Sequence, residues 1–145
     1  MIAIASDHAA VEFKQQIIDY LAAKGVALRD LGTHGPASVD YCDFAFKAAE
    51  AVASGECELG LLFCGTGVGM AISANKVKGV RAVVCSEPYS AKLSRQHNNT
   101  NVLCLGSRVV GIELAKMIID MWLEAEFEGG RHANRVNKIT AYEEK

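Results

Sequence analysis

Five short apolar runs, each followed by a stretch with helical spacing, constrain the fold of this chain more than any other feature. The runs lie at residues 2–5, 26–28, 59–63, 80–84 and 101–105. After the first, Phe13, Ile17 and Leu21 recur every four residues until Gly25; an alanine-rich segment then covers 40–53 and stops at Gly55. A helix is expected from the glycine turn at 65–69 to about Lys78, and another behind Ser86, read as its cap with Glu87 and Pro88 in the first turn. Leu114, Ile118 and Trp122 stripe the next, and Gly129-Gly130 precedes a last helix over 131–143. Strands this short, separated by helices, need crossover connections and therefore pair in parallel, buried on both faces. The expected fold is α/β: a single doubly wound, Rossmann-like domain over 1–145, with a five-stranded parallel sheet, helices on both faces and a C-terminal helix. The common strand order 2-1-3-4-5 makes strands one and three neighbours, with a ligand crevice beyond their carboxyl ends. The polar residues of interest are expected there or on the last helix.

Composition removes several classes of function. With 15 Lys and Arg against 17 Asp and Glu, the net charge of −2 gives no long-range attraction to nucleic acid or anionic lipid. No apolar run approaches the roughly 18 residues of a membrane span. Residues 1–7 lack a basic segment and reach Asp7 at once, unlike a signal peptide. Cys42, Cys57, Cys64, Cys85 and Cys104 are odd in number, with no C-x-x-C pair and no short Cys/His cluster, which disfavours both a disulfide framework and structural zinc. A cytoplasmic chain with free thiols is expected.

Three groups of residues could carry chemistry. The first strand ends in Asp7-His8, and the third ends in Cys64 followed by Gly65, Thr66, Gly67, Val68 and Gly69. Asp7 also reads as a plain helix cap. The turn is neither a Walker loop nor the dinucleotide fingerprint. Its alternating glycines let backbone approach closely, and their amides make an anion nest directly after a thiol. Positive potential there favours a thiolate and would stabilise charge developing on a substrate oxygen. That suits proton abstraction beside a carbonyl, and equally acyl transfer by a cysteine nucleophile. The second group is Arg95-Gln-His97-Asn98; His97 falls in phase with Tyr89 and Leu93, a pattern that a partly buried helix-end histidine also fits. The third is Arg131 and Arg135, four apart on one helical face with Val136 and Ile139 offset toward the core. Glu128 and Glu143 lie too far along the chain to pair with them, and two unpaired guanidinium groups suit phosphate.

At these residues the chain resembles the type B ribose-5-phosphate isomerases, a sugar-phosphate isomerase family that includes galactose-6-phosphate isomerase subunits. The likeness runs through Ser6-Asp-His8, Asp40-Tyr41, Cys64 to Gly69, Ala74-Asn-Lys76, Arg81-Ala-Val, Ser94 to Asn98, Gly106-Ser-Arg108, Gly130-Arg-His132 and Arg135. It implies a metal- and cofactor-independent interconversion of D-ribose 5-phosphate and D-ribulose 5-phosphate, a step of the non-oxidative pentose phosphate pathway. By resemblance Cys64 is the base moving a proton between C1 and C2, His97 opens the furanose ring, and the amides of Gly65 to Gly69 with the Thr66 hydroxyl hold a cis-enediolate. Asp7 and Asn98 hold sugar oxygens, while His8, Arg108, Arg131 and Arg135 gather the phosphate. The resemblance also implies a homodimer or homotetramer with active sites at the subunit interface. One branch of the family replaces the cysteine by a glutamate just after the third glycine; here that position is Met70, which leaves the thiol as the base. Cys42 stands where relatives often carry proline, away from the reaction centre. Isomerisation of allose 6-phosphate or galactose 6-phosphate, or sugar-phosphate binding without catalysis, are the alternatives. A phosphorylation receiver fits poorly, because Cys64 stands where it needs an aspartate.

Overall fold

The computed structural model describes residues 1–145. Its order is β1 (Ile2–Ser6), a 3-10 turn (His8–Ala10), α1 (Val11–Ala23), β2 (Leu28–Asp30), α2 (Tyr41–Ala53), β3 (Leu59–Cys64), α3 (Val68–Ala74) and β4 (Ala82–Val84). α4 (Pro88–Asn98), β5 (Val102–Gly106), α5 (Ile112–Glu124) and α6 (Arg131–Glu143) complete it. All five strands are parallel, as the crossovers require.

The strand order is β2-β1-β3-β5-β4, which corrects the outer half of the expected 2-1-3-4-5 arrangement. Burial explains the exchange. Val102 to Gly106 are buried throughout, so β5 belongs inside the sheet, whereas Ala82 to Val84 are only partly covered and tolerate an edge. β1 and β3 are neighbours, and β5 joins β3 with Cys64 opposite Gly106. Several boundaries also move, and α3, expected to reach about Lys78, ends at Ala74. β2 lies two residues later than its apolar run, because an edge strand can carry the exposed Arg29 and Asp30. β4 starts only at Ala82, since the Arg81 amide is taken by the Asn101 side chain at 2.7 Å. Glu87, not Ser86, caps α4: its carboxylate accepts from the Ser90 amide at 3.0 and 3.1 Å.

Each sheet face carries its own core. Ile2, Ile4, Leu61, Phe63, Leu103 and Leu105 meet α1 through Phe13, Ile17 and Leu21, and α5 through Ile118, Ile119 and Trp122. The other face is alanine-rich: Ala45, Ala48, Ala49 and Val52 of α2 lie close on Ala3, Ala5, Leu62 and Cys104, beside Met70 and Ala74 of α3. On α5 the buried stripe runs through Ala115 rather than the exposed Leu114. α6 buries only Val136, and Ile139, expected near the core, is exposed. No helix is long and apolar enough to cross a membrane.

Candidate active site

The carboxyl ends of β1, β3 and β5 bring together Asp7, His8, Cys64, the turn at 65–69 and Arg108. Asp7, 8 % exposed, caps the 3-10 turn: its Oδ1 accepts from the Ala9 amide at 3.0 Å, and Oδ2 has no partner in the chain. The cap occupies one oxygen and leaves the other available to a ligand. His8 Nδ1 accepts from the Val39 amide at 3.1 Å, so in the neutral ring the proton sits on Nε2, which becomes a donor.

Cys64 is 5 % exposed, and its Sγ accepts from the Gly67 amide at 3.1 Å. Gly67 has φ +81°, a conformation that favours glycine, and a Cβ there would lie 2.9 Å from both the Leu105 carbonyl carbon and Val84 Cγ2. A Cβ at Gly69 would sit 2.4 Å from the Tyr41 ring, and one at Gly106 would lie 2.6 Å from the Thr66 backbone. The glycines therefore allow the turn to lie flat against β5 and the start of α2. The amides of Gly65, Thr66 and Gly69 have no acceptor within the chain, and Thr66 Oγ1 accepts from the Val68 amide at 3.3 Å. Arg108 stands over the turn: a Cβ at Gly65 would be 3.3 Å from its guanidinium. Such a set can hold an anionic oxygen beside a sulfur poised to exchange a proton.

Other thiols nearby are suppressed. Burial, with a smaller contribution from Glu87, pushes Cys85 up to about 11, and burial raises Cys104 as well, so both stay protonated at neutral pH. Met70, at the position where a glutamate could replace the cysteine, is completely buried.

His97 and Asn98 do not join this group, contrary to the expectation that every such residue lies at the carboxyl ends or on the last helix. α4 runs back along the sheet and ends ahead of Val102, the first residue of β5, whereas Cys64 lies opposite Gly106, the last. The length of β5, about 13 Å at 3.3 Å per residue, separates the two ends. The α4 terminus is well fixed: Asn99 adopts φ 48°, and the amides of Asn99 and Thr100 bond back to Arg95 and Ser94. Thr100 Oγ1 also bonds Trp122 Nε1 at 3.0 Å and Ser94 Oγ at 2.8 Å.

Beside His97 stand two residues for which the sequence reading found no role. His132 stacks on it, with ring centroids 4.2 Å apart and planes 11° from parallel. Glu128 Oε1 lies 3.6 Å from His97 Nε2 and 3.5 Å from His132 Nε2. The four-residue spacing of Glu128 and His132 was a visible signal, but Gly129-Gly130 hid it. These three side chains could hold a metal ion by type and proximity. Parallel rings, however, present their nitrogen lone pairs side by side rather than converging. Arg131 and Arg135, on the same helix, are exposed and form no ion pair within the chain.

A family model described as Ribose/Galactose Isomerase matches residues 2–139. Ribose-5-phosphate isomerase B of Escherichia coli (strain K12) is 57% identical over 144 residues, covering 99% of this chain and 97% of that protein. D-erythrulose-4-phosphate isomerase of Pectobacterium atrosepticum is 49% identical over 144 residues, 98% of this chain and 94% of that protein. The solved structure of ribose-5-phosphate isomerase B from Mycoplasma genitalium with bound ribulose-5-phosphate superposes with a TM-score of 0.95 at 46% identity, covering 99% of this chain and 96% of that one.

Proposed function

The chain belongs to the ribose/galactose isomerase family, and from that premise we propose that it interconverts D-ribose 5-phosphate and D-ribulose 5-phosphate through a cis-enediolate. It is an aldose–ketose isomerase. The observation that carries the mechanism is the Cys64 sulfur held by the Gly67 amide of a turn whose Gly65, Thr66 and Gly69 amides are free.

In the proposed sequence, His97 gives a proton to the ring oxygen as the bond from C1 to that oxygen breaks, and the C1 hydroxyl gives its proton to solvent water, from which His97 is reprotonated, leaving the open-chain aldehyde. The Cys64 thiolate takes the proton from C2, and the electron pair moves to the C1 oxygen. Amides of Gly65 to Gly69 and the Thr66 hydroxyl hold the resulting charge. The Cys64 thiol then returns the proton to C1 while the C2 hydroxyl proton passes to the C1 oxygen, leaving a ketone at C2 and a hydroxyl at C1. Asp7 Oδ2 and Asn98 hold sugar oxygens. His8, through Nε2–H, and Arg108, Arg131 and Arg135 gather the phosphate. Holding the anionic tail fixes the reacting carbons over the sulfur.

One chain supplies this machinery at two separated ends, so we assign each site to two copies. One protomer gives Asp7, His8, Cys64 to Gly69 and Arg108; its partner gives His97, Asn98, Arg131 and Arg135. The surface supports such a homodimer. Val68, Ile72, Val84, Tyr89 and Val109 are exposed in the segments around the glycine turn, and α6 leaves most of its length uncovered. A two-fold pair makes both sites at once. A cytoplasmic role in the pentose phosphate pathway accords with five free cysteines and a phosphorylated five-carbon substrate.

Turnover of ribose 5-phosphate in deuterated water tests the function. Ribulose 5-phosphate carrying deuterium at C1 is the expected product, formed with a higher kcat/KM than the products of allose 6-phosphate or galactose 6-phosphate. A covalent acyl adduct on Cys64, or no ketose from any of the three sugars, contradicts it.

A further inference from the structure

We propose that His132 is a positioning residue for ring opening, whose imidazole is the platform that fixes the plane of the His97 ring, with Glu128 tethering the two. The inference rests on His97 being the ring-opening acid. Delivery of a proton to the ring oxygen needs one imidazole nitrogen aimed at one atom, yet His97 is at a helix end with its side chain 37% exposed. Nothing on α4 itself holds that ring. What holds it comes from α6 and the turn before it. His132 is only 12% exposed and lies nearly parallel beneath the ring at 4.2 Å. The Glu128 carboxylate faces both Nε2 atoms, and its own amide donates to the Gln96 carbonyl at 3.0 Å, pinning this turn to the end of α4.

The charges around His132 suit a neutral platform. Burial lowers its pKa first, then His97, Arg131 and Arg135 add to the lowering, while Glu128 opposes them. A neutral ring can lie against His97 without setting two cations face to face. The arrangement also links the two tasks of this end of the molecule. Arg131 and Arg135 flank His132 on the same helix, so the phosphate grip and the acid's platform move as one body.

The test separates ring opening from proton transfer between carbons. Ribulose 5-phosphate is open-chain, because its O5 is esterified and cannot close a furanose. Exchange of its C1 hydrogen with deuterated water therefore needs the Cys64 step alone. His132→Ala is expected to lower kcat on ribose 5-phosphate by about 10- to 100-fold, the scale on which small misplacements act, with KM and the C1 exchange rate unchanged. His132→Phe, which keeps a flat ring, is expected to restore most of the rate, and His132→Leu, equally bulky but not flat, is not. The Phe and Leu pair decides the question even should the alanine variant fail to fold. Equal rates for those two variants, or exchange falling in step with ribose 5-phosphate turnover, overturn the proposal. Failure of the wild-type protein to form ribulose 5-phosphate overturns the isomerase reading instead.

Discussion

Replacing Cys64 with alanine is expected to lower kcat for ribose 5-phosphate by about 10²–10⁴ or more, the scale of a lost general base. KM should change little, because the phosphate and hydroxyl contacts remain. No neighbour is placed to take over. Met70 is completely buried and cannot accept a proton, and Asp7 is committed through one oxygen to the Ala9 amide and, in the proposed complex, through the other to a sugar oxygen. Cys85 and Cys104 are held as thiols by burial. The variant should fold, since the side chain removed is small and its one hydrogen bond is to the Gly67 amide at the rim of the turn. Steady-state kinetics and exchange of the C1 hydrogen of ribulose 5-phosphate measure the effect together. Both must fall. Exchange that persists at the wild-type rate assigns the base to another group.

His97→Asn is expected to produce a comparable loss on ribose 5-phosphate, about 10²-fold or more, while leaving C1 exchange of ribulose 5-phosphate near its wild-type rate. Asparagine keeps a polar side chain at the end of α4 but cannot donate a proton as an acid. The helix end itself is held by Asn99, Thr100, Trp122 and Ser94, none of which is touched by the change. The dissociation of the two rates is the informative result. Equal loss on both substrates refutes a role confined to ring opening.

Much of this site was legible in the chain because its parts are local. Cys64 runs directly into the alternating-glycine turn, and a wholly apolar run placed their strand in the sheet. Asp7-His8 likewise follows directly on a strand. What escaped depended on position along the sheet rather than on residue type. The order of β4 and β5 turns on how much of each is covered, which an apolar pattern of three to five residues does not encode. The separation of His97 from Cys64 follows from helix direction: α4 begins at the carboxyl end of β4 and must return before β5 can start in parallel. His132 and Glu128 escaped because their meaning lies in a stack formed between two helices far apart in sequence. Ile139, expected to turn inward, instead belongs to the uncovered face of α6, where the pattern of a single chain gives no hint of what lies against it.

In the proposed dimer, a sulfur from one copy and an imidazole from the other work on the same sugar. Mixing the two inactive variants tests it. Chains carrying Cys64→Ala and chains carrying His97→Asn are unfolded together and refolded as a mixture, so that hybrid dimers form. Each hybrid then holds one doubly damaged site and one site with both native groups, and random pairing of a two-fold dimer should restore about a quarter of the wild-type activity. Recovery to that level is the expected result; a mixture no more active than its two components places both groups in one chain and rules out a site shared between copies.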